Sequence, residues 1–118
     1  MRNKSARAIL LAAAGAIFAT QAFAAPGPGD SQIKRGHKVY QEWCYPCHGP
    51  GPDKPGTASL AARGRKPAVL EERTDLTPAM IKTFVRHGVL FMPTFRKTEI
   101  SDADLDAISA YLTKNNEP

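Results

Sequence analysis

The chain has 118 residues, a length that fits one domain, and 42% of them are hydrophobic, which excludes low-complexity disorder. Its 16 Lys and Arg against 11 Asp and Glu give a formal net charge of +5. Three of the basic residues lie in residues 1–24, which contain no acid, so the remainder carries a net charge of only +2. Because no basic run follows residue 24, the composition gives no support to nucleic-acid binding.

Residues 1–24 have the pattern of a secretory signal peptide. Three basic side chains precede an apolar run over residues 8–19, and Ala22-Phe23-Ala24 supplies the small residues of a cleavage site. A retained membrane anchor is the alternative, but the run is shorter than the roughly 20 residues of a spanning helix. We therefore expect cleavage after Ala24, export to a bacterial periplasm and no membrane span in the mature protein.

Residues 25–30 are rich in Pro and Gly and predict a flexible linker, which leaves residues 31–118 as the domain. The first helix is expected to run from Ser31, as its N-cap, to about Cys47. Its apolar face recurs at helical spacing (Ile33, Gly36, Tyr40 and Trp43). A glycine within a helix costs about 1 kcal/mol relative to alanine. Gly36 on this face therefore indicates that another helix crosses closely there.

Residues 49–67 include eight Gly or Pro and predict a loop with at most one helical turn. A short helical or turn segment is expected to begin at Val69. Thr77 and Pro78 then predict the start of a helix, with Thr as N-cap and Pro at the first helical position, and Gly88 predicts its end. The apolar stripe of this helix is Ile81, Phe84 and Val85.

Residues 89–98 are expected to be a non-helical connection, because Pro93 blocks a helix and holds Met92 extended. Ser101 followed by Asp104 resembles a capping box for a last helix. That helix has a single apolar stripe (Leu105, Ile108, Tyr111 and Leu112). No alternating strand pattern longer than three residues occurs, so the prediction is an all-α, single-domain fold.

The segment Cys44-Tyr45-Pro46-Cys47-His48 is the most informative part of the sequence. A C-x-x-C-H run is typical of covalent attachment of a c-type haem. Cysteines three apart on a helical turn point the same way, so both thiols can add to the two vinyl groups of one porphyrin. We therefore expect one covalent haem c on Cys44 and Cys47, with His48 as an axial iron ligand. Export agrees with this, since c-type haem is attached outside the cytoplasm.

Three other uses of the two cysteines stay open. Residues 43–47 mimic the W-C-x-P-C of a thioredoxin-like dithiol, although that motif follows a strand. A disulfide between Cys44 and Cys47 would close a very short loop and stabilise little. Zinc could be bound by both cysteines and two of the three histidines (His37, His48 and His87), although paired ligand knuckles are missing.

Met92 is expected to be the second axial ligand, because a side chain in an extended connection reaches a haem face more readily than one committed to a helix. Met80 is expected to pack in the core. His87 or His37 would instead give bis-His ligation. Met/His ligation raises the reduction potential relative to two nitrogen ligands. A bound thioether also closes the iron to oxygen and peroxide, which favours electron transfer over catalysis.

The chain resembles class I c-type cytochromes over residues 31–115. The resemblance is carried by the C-x-x-C-H run, by Gly36 and Tyr40 eight and four residues before Cys44, by Tyr111-Leu112 and by Met92-Pro93. It implies a class I cytochrome c fold in which the N- and C-terminal helices cross at Gly36 and Tyr111 around one haem. It also implies that a loop proline carbonyl orients the proximal histidine, and we assign that proline as Pro67.

A closer resemblance, to the cytochrome subunits of flavocytochrome alkylphenol hydroxylases such as p-cresol methylhydroxylase and eugenol hydroxylase, is carried by residues 70–95. It implies an electron carrier, not an enzyme in itself, that accepts electrons from an FAD-containing flavoprotein and passes them to a downstream acceptor. One alternative is a free soluble shuttle to a terminal oxidase or other acceptor. Another is a haem enzyme or sensor with an open distal site, which requires that Met92 does not bind iron.

Val89, Leu90 and Phe91 are three consecutive large apolar residues beside Met92. A loop cannot easily bury all three, so at least one is expected to be exposed near the haem edge, as a docking face requires. The net charge of only +2 after residue 24 indicates an encounter that is not mainly electrostatic.

Overall fold

A computed structural model describes residues 29–116, so the predicted signal peptide, its cleavage site and residues 25–28 lie outside the described residues. The helices are α1 (Asp30–Trp43), α2 (Tyr45–His48), α3 (Pro55–Ala62), a short 3-10 helix (Leu70–Glu72), α4 (Pro78–His87) and α5 (Asp102–Thr113). Between residues 29 and 116 there is no strand, and an isolated antiparallel bridge joins Val89 and Met92. The predicted all-α, single-domain fold is confirmed. None of the helices in this range has the length and apolar character that a bilayer crossing requires.

The centre of the fold is the crossing of α1 and α5. A Cβ added to Gly36 would fall on the carbonyl of Ala107 and lie 2.7 Å from the Cβ of Tyr111. One turn further along α1, Tyr40 is fully buried and its ring lies 5.6 Å from that of Tyr111. The predicted crossing at Gly36 and Tyr111 is confirmed. The glycine is needed because a side chain there would push the two helices apart.

Most of the core comes from α5, where Leu105 and residues 107–112 are buried. From α4, Ile81 and Val85 join it. Phe84 is 39% exposed and Met80 is 38% exposed, so neither side chain is buried against residues 29–116, contrary to the expected packing of Met80. They lie one turn apart at the edge of the buried face, because that face is centred between Ile81 and Val85.

The predicted caps of the last two helices are confirmed. The Oγ1 of Thr77 accepts the N–H of Met80 at 3.2 Å, and Gly88 ends α4 with a φ of 69°. The Oγ of Ser101 accepts the N–H of Asp104 at 3.1 Å. The carboxylate of Asp104 in turn accepts the Ser101 hydroxyl at 2.6 Å. The return bond therefore goes to the hydroxyl and not to the backbone N–H of an ordinary capping box.

The first predicted helix is two helices with shifted ends. Helix α1 begins at Asp30 with Gly29 as its N-cap, two residues before the predicted cap Ser31, so Asp30 does not belong to a linker. It ends at Trp43, and α2 restarts after Cys44 with Pro46 in its first turn. The break has a physical reason, since a proline has no N–H to continue the hydrogen bonds of α1.

Helix α3 lies where the sequence predicted a loop. Pro55 occupies its first turn, where a missing N–H costs nothing. Residues 57–62 (TASLAA) then continue the helix with alanine and leucine, two of the best helix formers. The high Gly and Pro content of residues 49–67 concealed this helix. The predicted helical segment near Val69 is confirmed by the 3-10 helix that starts at Leu70.

Candidate functional site

The Cys-x-x-Cys-His segment forms the joint between α1 and α2. The N–H groups of Cys47 and His48 both donate to the carbonyl of Cys44, at 3.1 and 2.8 Å. This closes one helical turn, on which two side chains three residues apart lie on the same side. Both thiols are free, with Cys44 half-buried and Cys47 exposed. The pair can therefore take two bonds to one planar group lying against the turn.

Cys44 is the more enclosed of the two thiols. It packs against the hydrophobic core. Burial raises the pKa of Cys44 to about 12, with a smaller contribution from the neighbouring Cys47. At neutral pH the thiol is thus protonated and packs as a small apolar side chain.

His48 lies half-buried at the end of α2. Burial lowers its pKa, so the imidazole is neutral at neutral pH and keeps a lone pair for a metal. Its Nδ1 is buried and has no hydrogen-bond partner among residues 29–116. A neutral imidazole whose buried nitrogen no described residue engages fits an iron ligand.

Helix α3 supplies the backbone that lies against this imidazole. A Cβ added to Gly56 would lie 2.7 Å from the Cε1 of His48 and 2.8 Å from its Nδ1. The expectation that the Pro67 carbonyl orients the ring is wrong, since the Nδ1 has no partner and Pro67 is exposed. Gly56 occupies this position because only glycine lets a backbone approach a ring so closely.

Two side chains hold the backbone that follows the histidine. The hydroxyl of Tyr40 donates to the carbonyl of His48 at 3.2 Å, and the buried hydroxyl of Thr57 donates to the carbonyl of Gly49 at 2.8 Å. Burial raises the pKa of Tyr40 far above its ordinary value, so it stays a neutral donor. Helix α1 thus fixes the last carbonyl of α2, and helix α3 fixes the carbonyl of the residue that follows it. Sequence reasoning did not identify Thr57, since nothing in the loop pattern marks it.

Met92 closes a four-residue turn that starts directly after α4. Val89 and Met92 exchange two backbone hydrogen bonds, with N···O distances of 3.2 and 2.9 Å. Met92 is half-buried against the core, whereas Val89, Leu90 and Phe91 are 44%, 72% and 63% exposed. The expected exposure of at least one apolar residue beside Met92 is confirmed, and it extends to all three.

The other uses of the cysteines find little support in the structure. The two thiols do not form a disulfide. Among residues 29–116 no three His, Cys, Asp or Glu side chains converge as a metal cluster. The W-C-x-P-C segment follows helix α1, not a strand. His37 and His87 are both exposed, and the Nδ1 of His87 lies 3.0 Å from the carbonyl of Thr83 on its own helix.

Comparison with known proteins identifies the family. Residues 31–112, more than half of the chain, match the family model described as cytochrome c oxidase, cbb3-type, subunit III. Neither the curated proteins nor the solved structures gave a significant match. The matched range starts in α1 and ends in α5, so it contains the helix crossing, the Cys-x-x-Cys-His turn and the turn at Met92. A cytochrome c domain carries covalently bound haem c and serves electron transfer. The chain belongs to this family and is a class I c-type cytochrome.

Proposed function

We propose that this cytochrome is a periplasmic one-electron carrier whose single haem c is attached to Cys44 and Cys47, with His48 and Met92 as axial iron ligands. The observation that carries the proposal is the neutral, half-buried His48 placed directly after two free thiols on one helical turn. Met92, which is half-buried in the turn after α4, supports the proposal as the second ligand. The bound haem would supply reversible one-electron exchange at iron.

Restraint of the proximal ligand by the chain's own residues favours electron transfer over catalysis. The Gly56 backbone and the Tyr40 and Thr57 hydroxyls restrain His48 and the segment after it. A ligand held in one place needs little rearrangement when the charge at iron changes. A Met92 thioether as second ligand would leave no open position for oxygen or peroxide.

Covalent attachment is tested by changing both thiols. The denatured wild type should keep its haem on a gel after extraction with acidified acetone. The double variant Cys44→Ala/Cys47→Ala should lose the haem and largely fail to fold, because in a domain this small the cofactor forms much of the core. Thr98→Ala, an exposed change, serves as the control and should keep the haem. A well-folded wild type without haem would refute the proposal.

The axial ligand is tested by comparing two methionines. Met92→Ala should abolish the weak red absorption band of a sulfur ligand to ferric iron, lower the reduction potential and admit cyanide. Met80→Ala is the matched control, since Met80 is exposed on α4, and it should leave the band unchanged. If Met80→Ala removes the band and Met92→Ala does not, the assignment is reversed. A band absent from the wild type, with a spectrum altered by His87→Ala, would favour bis-His ligation.

We further propose that the electron donor is an FAD-containing flavoprotein that oxidises a 4-alkylphenol, with this chain as its cytochrome subunit. The resemblance of residues 70–95 to such subunits supports it. A second candidate is a free carrier that delivers electrons to a terminal oxidase or other acceptor, and the matched family, whose description names a subunit of a terminal oxidase, supports an oxidase as that acceptor. Export is supported by the signal-peptide pattern of residues 1–24, and N-terminal sequencing of the mature protein should begin at Ala25.

Purification from the native host distinguishes between the two proposed electron-transfer partners. A stable complex with a flavoprotein on gel filtration supports the subunit role. An isolated cytochrome that is rapidly oxidised by a terminal oxidase supports the free carrier. An open distal site, the remaining alternative, would appear as carbon monoxide binding to the reduced wild type.

A further inference from the structure

The segment that carries Met92 is attached to α4 at Phe95, three residues further along the chain. The N–H of Phe95 donates to the carbonyl of Val85 at 2.9 Å. Its carbonyl accepts a hydrogen bond from the Nη1 of Arg86, also at 2.9 Å. Both partners lie near the C-terminal end of α4. Phe95 therefore cannot move away from α4 without the loss of two hydrogen bonds.

The beginning of the same segment is closed as well. A Cβ added to Gly88 would lie 2.6 Å from the carbonyl oxygen of Met92. The two backbone hydrogen bonds between Val89 and Met92 lie at this end of the segment. Because Phe95 returns to α4, residues 88–95 form a closed loop on the end of that helix. Met92 lies inside this loop, so its side chain can move far only when one of the two closures opens.

The ring of Phe95 joins the loop to α1. It lies edge-on to the indole of Trp43, with the ring centroids 5.9 Å apart and the planes at 80°. Both side chains are half-buried and pack against the core. An edge-to-face aromatic pair stabilises more than the burial of its area alone. Trp43 is the last residue of α1, directly before Cys44, so this contact connects the turn that carries the thiols with the loop that carries Met92.

Arg86 has a role beyond a surface ion pair. Its side chain is only 19% exposed, and its Nη2 binds the carboxylate of Asp102 at 2.9 Å while its Nη1 holds the carbonyl of Phe95. Lys97 binds the other oxygen of the same carboxylate at 2.7 Å. A hydrogen bond from an ionised guanidinium is stronger than one between neutral groups. Arg86 thus attaches the end of the loop to α4 and to the first residue of α5.

We infer that Phe95 is the positioning residue of Met92, and that its contacts with Trp43 and Arg86 keep the thioether on iron. The inference rests on the proposed ligation by Met92. A thioether is a soft ligand and ferric iron is a hard ion, so retention of the sulfur in the oxidised protein depends on restraint by the loop. Cyanide can bind to ferric iron only after Met92 has left it. Its binding rate therefore reports how often the loop opens.

The first test removes the aromatic contact in the oxidised holo-protein. Phe95→Leu and Trp43→Leu each keep an apolar side chain but lose the ring pair. Both should bind cyanide about tenfold faster than the wild type and lose the red sulfur band at a lower temperature. Trp43→Phe restores a ring and should stay within about threefold of the wild type. The control Leu76→Val is buried just before the other end of α4, so it should lower the thermal midpoint but change the cyanide rate less than about twofold.

The second test removes the hydrogen bond to the Phe95 carbonyl. Arg86→Gln takes one positive charge from α4 and should speed cyanide binding about threefold. Lys82→Gln is the matched control, since it takes the same charge from the same helix at a half-exposed ion pair with Asp106. Its rate should stay within about twofold of the wild type. Amide hydrogen exchange at the N–H of Phe95 should accelerate in Arg86→Gln and not in Lys82→Gln.

The double variant Trp43→Leu/Phe95→Leu decides whether the two rings act through one contact. Its cyanide rate should lie within about twofold of the faster single variant, because either change already removes the contact. Multiplied effects would overturn the inference. So would wild-type rates in both single variants, or Trp43→Phe as fast as Trp43→Leu. If Phe95→Leu does not retain haem, Trp43→Leu and Arg86→Gln decide, and wild-type rates in both would overturn it. A wild type without the red band would instead refute ligation by Met92, and with it the proposed ligand set.

Discussion

The crossing of α1 and α5 and the turn from Gly88 to Met92 contrast in almost every physical respect. At the crossing, a glycine meets a backbone carbonyl and the α5 side is buried from Ala107 to Leu112. Helical periodicity, caps and packing all agree there. At the turn, a leucine occupies a left-handed conformation and three apolar side chains face solvent.

This difference separates what stabilises the molecule from what its function requires. A region in which local preference and packing agree needs no explanation beyond folding. A region that departs from its local preferences without a packing gain is a candidate functional site. The two regions therefore should respond to mutation in opposite directions, with stability lost at the crossing and gained at the turn.

Gly36→Ala should be the most damaging single change, since it removes the close approach on which the crossing depends. The new Cβ would fall on the Ala107 carbonyl, and the helices would have to separate. Overpacking of this kind should lower the free energy of unfolding of the holo-protein by about 3 kcal/mol in denaturant titration. Lys38→Ala, an exposed change on the same helix, should stay within about 0.5 kcal/mol. Equal effects of the two changes would show that the helices are not in close contact.

Gly56→Ala should have the next largest effect and extends the comparison to the site. The added Cβ would lie 2.8 Å from the carbonyl of Cys47 and against the His48 ring, so either α3 or the imidazole must move. We expect a loss of about 2 kcal/mol in unfolding free energy together with a shift of the haem absorption bands. Ala58→Ser, exposed on the same helix, is the control and should alter neither. Unchanged spectra in Gly56→Ala would mean that α3 does not position the imidazole.

The sequence identified the parts of this fold that depend on short-range patterns. The caps at Thr77 and Ser101 and the glycine of the crossing each have a local signature. Helix α3 was not predicted because Pro55 and Gly56 are residue types typical of loops. In the structure Pro55 starts the helix, and Gly56 lets the helix backbone approach His48 closely. Such a glycine is recognisable only once the ring that it faces has been located.

The residues of the candidate site also divide into those that a short-range sequence pattern predicts and those that it does not. Spacing alone places two thiols and a histidine on one turn, because the chain distance is three residues. The hydroxyl of Thr57 on the Gly49 carbonyl joins α3 to α2 through tertiary structure, and no sequence period predicts such a bond. The exposure of the turn could be anticipated from three adjacent apolar residues, whereas the left-handed backbone of Leu90 could not.

Leu90→Gly should raise the free energy of unfolding, whereas Gly36→Ala at the crossing should lower it. Glycine adopts the observed φ of 54° without strain, and the side chain removed is mostly exposed. The gain in unfolding free energy should be about 1 kcal/mol, reduced somewhat by the greater freedom of glycine in the unfolded chain. Leu90→Ala is the matched control, because it shortens the side chain but keeps the backbone strain, and it should give no comparable gain. A loss of stability in Leu90→Gly would show that the leucine is held by contacts on the folded protein.

Lowering the pH should have the smallest effect on the free energy of unfolding. It tests whether an ion pair stabilises the crossing of α1 and α5. Asp104 of α5 accepts a hydrogen bond from Ser101 and forms an ion pair with Arg35 of α1 at 2.8 Å. These contacts, the serine hydroxyl first and the guanidinium second, lower the pKa of the Asp104 carboxyl below its unfolded value of about 3.9. Because the folded pKa is the lower one, the contribution is present above about pH 4 and is lost as the pH falls through the folded pKa.

The measurement is a double-mutant cycle of Arg35→Ala and Asp104→Asn, with unfolding free energies at pH 7 and at pH 2. At pH 7 the coupling should be about 0.5 kcal/mol, since Arg35 is more than half exposed and water screens the pair. At pH 2 it should be close to zero. Equal coupling at both pH values would contradict the electrostatic origin of the pair. A coupling as large as the Gly36→Ala effect would mean that charge stabilises the crossing as much as close packing does. Close packing would then not be what distinguishes the crossing from the exposed turn.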